Sequence, residues 1–132
     1  MSAVLDTHTV LWYLENSREL SSTARTTIED AIRSAKHVYV SAISLIETVY
    51  LVERGRLPLK ALERLRIALY ESKSGLFIAP VDAEVADALQ DIPRDQVPDM
   101  PDRIIAATAL QLGFPLITRD RRLQSAGIKT IW

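Results

Sequence analysis

The sequence predicts an α/β fold, a mostly parallel sheet with helices on both faces. Three observations carry it. Short β-branched or aromatic runs alternate along the chain with longer segments whose apolar residues recur at helical spacing. The first run, Ala3-Val4-Leu5, is wholly apolar, as a strand covered on both faces is. One helical segment, from Ile104 to Leu112, is apolar nearly all round and so must be buried on most sides.

The elements follow in order. Ala3–Leu5 forms a strand ending at Asp6, and Thr7–Leu14 a helix with Val10, Leu11, Trp12 and Leu14 at helical spacing. Ser21 or Ser22 caps a second helix running to about Ala35. Val38-Tyr39-Val40 is a second strand. Ser41, with Ser44 as the alternative, caps a helix that ends near Gly55. Pro58 fits the first turn of the next helix, through about Ser72. Gly75 breaks the chain before a third strand, Leu76–Ala79, and Asp82 caps a helix through Leu89. A polar loop marked by prolines runs from Pro93 to Pro101, and the apolar helix after it stops at Gly113. Pro115–Thr118 is a fourth strand, Arg121–Gln124 a short helical piece and Ile128–Ile131 a fifth strand. No repeat, low-complexity segment or linker divides residues 1–132, so one domain is expected.

Composition narrows the chemistry. Hydrophobic residues make up 48% and charged residues 25%, the balance of an ordinary globular protein that buries one core. Absence of cysteine excludes disulfides, thiolate zinc sites and cysteine nucleophiles. No signal peptide precedes Asp6 and no apolar run spans a membrane, which fits a cytoplasmic location. The net charge of −1 argues against nonspecific duplex binding by the whole surface. It leaves room for a local basic rim. Arg54, Arg56, Lys60, Arg64 and Arg66 form one basic stretch and Arg119, Arg121 and Arg122 another, although both also fit solvated helix faces.

In open α/β sheets the ligand site lies beyond the carboxyl ends of the strands. Asp6 directly follows the first strand and Asp120 closely follows the fourth. Glu47 sits in the second turn of the helix leaving the second strand, and Asp102 at the start of the apolar helix. All four can reach one end of the sheet. Each has a structural explanation as well. Asp6 can cap a helix, Asp102 can complement a helix dipole and Asp120 can serve a turn. Glu47 interrupts an apolar run from Ala42 to Val52, where Arg54, seven residues on, is the available partner. As a set the carboxylates point further. Two like charges about 4 Å apart repel by roughly 4 kcal/mol at an effective dielectric near 20. Several at one point need a cation or raised pKa values. An all-oxygen site suits a hard cation, Mg²⁺ or Mn²⁺, which can activate water and steady charge on a phosphoryl oxygen.

Other chemistries lack their residues. His8 and His37 are the only histidines and stand outside zinc-ligand spacing. There is no G-x-S-x-G elbow, and the four glycines stand apart, so no phosphate loop exists. An aspartyl phosphatase needs a second aspartate where Asp6-Thr7-His8 has none. A receiver-like phosphate acceptor needs a lysine where the chain has Thr118-Arg119.

Five pieces of the chain, in order and at matching spacing, resemble the PIN-domain family, and within it the VapC-type toxins of toxin–antitoxin pairs. They are Val4-Leu5-Asp6-Thr7-His8 with Leu11-Trp12, Ser41 to Glu47, Pro101 to Ala109, Leu116 to Asp120, and Ile128 to Trp132. The resemblance implies a three-layer α/β/α sandwich and metal-dependent cleavage of RNA. It makes Asp6, Glu47, Asp102 and Asp120 the acidic catalytic set, with Asp6, Asp102 and Asp120 holding Mg²⁺ or Mn²⁺ and Thr118 supplying a hydroxyl near the water. It also implies a homodimer and a cognate antitoxin that covers the acidic groove, for both of which the apolar residues of Ile43–Val52 and Trp12-Tyr13 are available. Asp99 matches an acidic position common in these toxins, but the loop here reads Val97-Pro98-Asp99-Met100-Pro101-Asp102-Arg103, without the usual histidine and first proline. That departure leaves the role of Asp99 open. A PIN fold that has lost catalysis and only binds a partner is the alternative.

Overall fold

A computed structural model describes residues 1–132. Five parallel strands form one sheet in the order β3-β2-β1-β4-β5. They are β1 (Ala3–Leu5), β2 (Val38–Ser41), β3 (Leu76–Ala79), β4 (Leu116–Ile117) and β5 (Thr130–Ile131). The helices are α1 (Thr7–Leu14), α2 (Ser22–Arg33), α3 (Ala42–Glu53), α4 (Leu59–Tyr70), α5 (Ala83–Ala88), α6 (Met100–Leu112) and α7 (Arg121–Gln124). A single 3₁₀ turn, Leu89–Asp91, follows α5.

The central strand shows how the layers divide. Ala3 and Leu5 point into one core with Val10, Leu11, Ile28 and Leu65, from α1, α2 and α4. Val4, between them, points into the other with Ile43, Val85, Ile105 and Leu123, from α3, α5, α6 and α7. This is the period-2 alternation of a strand covered on both faces, and it makes the molecule an α/β/α sandwich. The apolar α6 is buried along Ile104–Ala109, as its composition requires. The hydroxyls in the buried helices return to their own backbones. Thr108 donates to Ile104 O and Thr48 to Ser44 O, both at 2.8 Å. No helix is long and apolar enough to cross a membrane.

Several boundaries differ from the sequence expectation, each for a local reason. α2 stops at Arg33 because Ala35 takes a left-handed φ of 55°. Pro58 is the N-cap of α4 rather than a residue of its first turn. α5 ends at Ala88 and tightens into the 3₁₀ turn. Strands β4 and β5 are only two residues each, because only Leu116–Ile117 and Thr130–Ile131 find a ladder partner. The loop expected to end at Pro101 ends at Asp99, which caps α6. Pro101 lies in the first turn, where it forfeits no hydrogen bond. Gly75 sits where a Cβ would come within 2.8 Å of the Ile32 side chain at a φ of +81°, so glycine is needed to bring β3 against α2.

Candidate active site

Register sets the site. Leu5 pairs with Val40 on one side and Ile117 on the other, so β1, β2 and β4 end level. The next residues, Asp6, Ser41 and Thr118, therefore stand side by side at the carboxyl end of the sheet. Asp6 and Thr118 continue the alternation of Val4 and Leu116 and emerge toward α3 and α6.

Asp6 is 8% exposed. One carboxylate oxygen accepts from Thr9 N at 2.9 Å and so caps α1, while the other accepts from the Thr118 hydroxyl. Each oxygen keeps a second lone pair for a further partner. The fully buried Thr118 Oγ1 also accepts from Asp120 N at 3.0 Å, which fixes the chain turning out of β4. Asp120 in turn caps α7, its Oδ1 accepting from Arg122 N at 2.8 Å. Capping and functional placement are thus not rivals here. The short polar side chain that ends each strand also starts each helix.

Glu47 reaches the same point from α3. Its partner is Thr7 of α1, whose hydroxyl donates to Oε1 at 2.6 Å and lies 2.8 Å from Ser44 Oγ. Arg54, the partner available in the sequence, stacks over the Tyr50 ring instead, at 5.9 Å. Burial raises the Glu47 pKa above its ordinary 4.5; the Thr7 hydrogen bond opposes this, and Asp99 and Asp6 add to it. Thr7 is 4% exposed, so Thr7→Val should leave Glu47 short of a charge-assisted donor in a half-buried place. A loss of about 1–3 kcal/mol in denaturant unfolding is expected. Unchanged stability would mean that solvent already satisfies Glu47.

Asp102 sits at the third position of α6, its N–H capped by Asp99 Oδ2 at 3.2 Å. Its pKa is lifted from 3.8 to about 7, first by burial and then by Asp99, Asp120, Glu47 and Asp6. A helix N-terminus alone would stabilise the charged form. Here burial and like charge act in the opposite sense. These five carboxylates, with Thr7, His8, Trp12 and Arg119, line a cleft of about 480 Å³. The Asp99 position, left open in the sequence, therefore belongs to the cleft by placement and to α6 by hydrogen bonding. His8 lies on the rim, its ring 5.5 Å from Trp12.

The donor set suits a hard divalent cation, because it is all oxygen and its members repel one another as they stand. No three Asp, Glu or His side chains are already drawn into a finished coordination shell. The carboxylates face a common space that an ion would have to gather. Thr7 had no local signal in the sequence, since its links to Ser44 and Glu47 join residues about forty apart.

Comparison with known proteins places this geometry. The PIN domain model matches residues 3–129. Ribonuclease VapC22 of Mycobacterium tuberculosis is 36% identical over 126 residues, 94% of this chain and 91% of that protein. Among solved structures, VapBC2 from Rickettsia felis, bound to a promoter DNA fragment, superposes with a TM-score of 0.74 at 17% identity, over 99% of this chain and 98% of that one. FitAcB from Neisseria gonorrhoeae superposes with a TM-score of 0.67 at 26% identity, over 98% and 96%.

Proposed function

The chain belongs to the PIN-domain family and is of the VapC type, and from that premise we propose that it is an Mg²⁺- or Mn²⁺-dependent endoribonuclease, the toxin of a toxin–antitoxin pair. The observation that supports this most directly is the convergence of Asp6, Glu47, Asp102 and Asp120 on one cleft at the carboxyl end of the sheet. A catalytically silent binding module would have no use for carboxylates held together against their own repulsion.

In this proposal Asp6, Asp102 and Asp120 hold the ion. A divalent cation bound there supplies positive charge that offsets the carboxylates, acidifies water and stabilises a phosphoryl oxygen. The chain's own residues do the rest. Thr118 keeps the Asp6 carboxylate in one orientation, and its hydroxyl would be available to a water at the ion. Glu47, held by Thr7 and with its pKa raised, is suited to take a proton from that water. The Asp99 cap fixes the first turn of α6, and with it Asp102.

The direct test is incubation with a total-RNA pool. Cleavage is expected with Mn²⁺ or Mg²⁺ and not in excess EDTA. Cleavage that persists in EDTA sinks the metal mechanism.

Two surfaces support protein partners. Ile46, Tyr50 and Met100 are exposed apolar residues that, with Ile43 and Leu51, line a hollow sharing Glu47 and Asp99 with the acidic cleft. We assign this face to a homodimer. Light scattering should give twice the 14.8 kDa chain mass, and Ile46→Asp should return it to one. A wild-type monomer at micromolar concentration would remove this assignment. The other surface is the acidic cleft itself, which the cognate antitoxin would cover; the exposed Leu59, Ile67 and Tyr70 of α4 are interrupted by Glu63 and Arg66.

A further inference from the structure

Arg119 is the one lysine or arginine that lines the acidic cleft. It sits between Thr118 and Asp120, and its guanidinium carbon lies 4.4 Å from the centre of the Trp12 ring. Trp12 is itself braced, with Trp132 edge-on at 6.1 Å and His8 at 5.5 Å. A guanidinium seated over an aromatic ring is held in place while its remaining donors stay free for an oxyanion. Nη1 donates to Glu19 Oε2 at 2.6 Å, from the turn that joins α1 to α2.

That ion pair is exposed, at 52% for the arginine side chain and 57% for the glutamate. Pairs of this kind are weak and yield to a better partner. A carboxylate and a phosphodiester make the same demand on a guanidinium, two oxygens facing its fork. Glu19 thus occupies, through one oxygen, a guanidinium donor that a phosphate oxygen could take instead. We infer that Arg119, held on Trp12, grips a phosphate of the RNA strand next to the one being cut, and that Glu19 is its built-in competitor. This rests on the ribonuclease function proposed above. It also accounts for how so acidic a cleft admits a polyanion. The metal would neutralise the floor, and Arg119 would offer a cation at the wall.

The test is binding of a labelled single-stranded RNA of mixed sequence across a salt series. Ca²⁺ serves as an oxygen-binding cation, and the RNA is checked to be intact afterwards. Arg119→Ala should weaken binding about tenfold, the scale of one charge-assisted contact. It should also lower the slope of log affinity against log salt by about 0.7, one phosphate's share on a single strand. Glu19→Gln should tighten binding by roughly two- to fivefold, and should do nothing in the Arg119→Ala background. A gain in affinity cannot come from misfolding, and Arg119→Gln, which keeps a long side chain over Trp12, supplies the uncharged background if Arg119→Ala folds poorly. Equal tightening with and without Arg119 would reduce Glu19 to a bulk charge and overturn the inference. So would an Arg119→Ala protein that binds like wild type with an unchanged slope. If wild type cleaves total RNA with Mn²⁺ but Arg119→Ala binds normally, the role of Arg119 alone falls. If wild type neither binds nor cleaves, the ribonuclease function falls and this inference with it.

Discussion

Asp102→Asn is expected to abolish cleavage while making the metal-free protein more stable. The two effects have one cause. The Asp102 carboxyl is held at about pKa 7 by burial and by four neighbouring carboxylates, a conflict the fold retains because a cation would resolve it. Asparagine keeps the size and can still complete the first turn of α6, but cannot carry charge to a metal. Loss of such a ligand should slow cleavage by roughly 10³-fold or more, the scale of several kcal/mol of charge stabilisation. The substitution also gives up a favourable charge at a helix N-terminus, about 0.3–1 kcal/mol. Burial and four like charges act in the opposite sense and raise the pKa to about 7, so the net effect expected at about pH 8 is stabilising. Melting in EDTA should rise by a few degrees, given roughly 3–6 °C per kcal/mol for a chain of this size. The rise with Mn²⁺ should shrink. A mutant that melts lower in EDTA and answers Mn²⁺ as wild type does would reduce Asp102 to a helix-end residue.

Stability of the wild type without metal should fall as pH climbs through the range between the unfolded and folded pKa values of Asp102. A carboxyl whose folded pKa is raised destabilises the fold once pH passes its unfolded value, and the penalty is complete above its folded value. For Asp102 that window runs from its ordinary 3.8 to about 7, and Glu47 contributes with the same sign from its ordinary 4.5 upward. Above this window Mn²⁺ should restore what was lost. The unfolded chain offers no comparable site, so a concentration one hundred times Kd would add about 2.7 kcal/mol. Chemical denaturation at several pH values, in EDTA and in Mn²⁺, measures both. Metal-free stability that is flat or rising from pH 4 to 7 would contradict the strained carboxylate cluster. Equal metal stabilisation at pH 5 and pH 8 would show that the ion does not compete with protons at these carboxylates.

Thr7 and Thr118 show why such a site is built on threonine as well as aspartate. Thr118 locks Asp6 from the neighbouring strand, and Thr7 holds Glu47 from a neighbouring helix. Both hydroxyls are buried, where an unmatched carboxylate would be expensive. They satisfy the acids without neutralising them, so the charge remains available to a cation and the geometry does not depend on one.

The amino-acid sequence by itself determined the alternation of strand and helix, the burial of α6 and the residue types at the strand ends. These are local properties. Period-2 and helical patterns, an Asp or Ser capping α1, α2, α3 and α5 and a glycine at the end of α6 can be read within a few residues of one another. It also singled out Asp6, Glu47 and Asp120, which stand just after a strand or in the first turns of a helix that follows one, and Asp102, at the start of the most apolar helix. What only the tertiary structure decided depends on register and on contacts between distant segments. That β1, β2 and β4 end level follows from ladder pairing across gaps of about 35 and 112 residues. Glu47 takes Thr7 rather than Arg54 because α1 and α3 lie side by side, a proximity that sequence spacing does not encode. Asp99 becomes both a cap and a wall of the cleft because α6 begins at Met100, two residues earlier than the proline suggests. Arg119 lies over Trp12 because the turn after β4 comes close to α1. Local chemistry chose the carboxylates, and long-range packing chose the hydroxyls, the ring and the guanidinium that govern them.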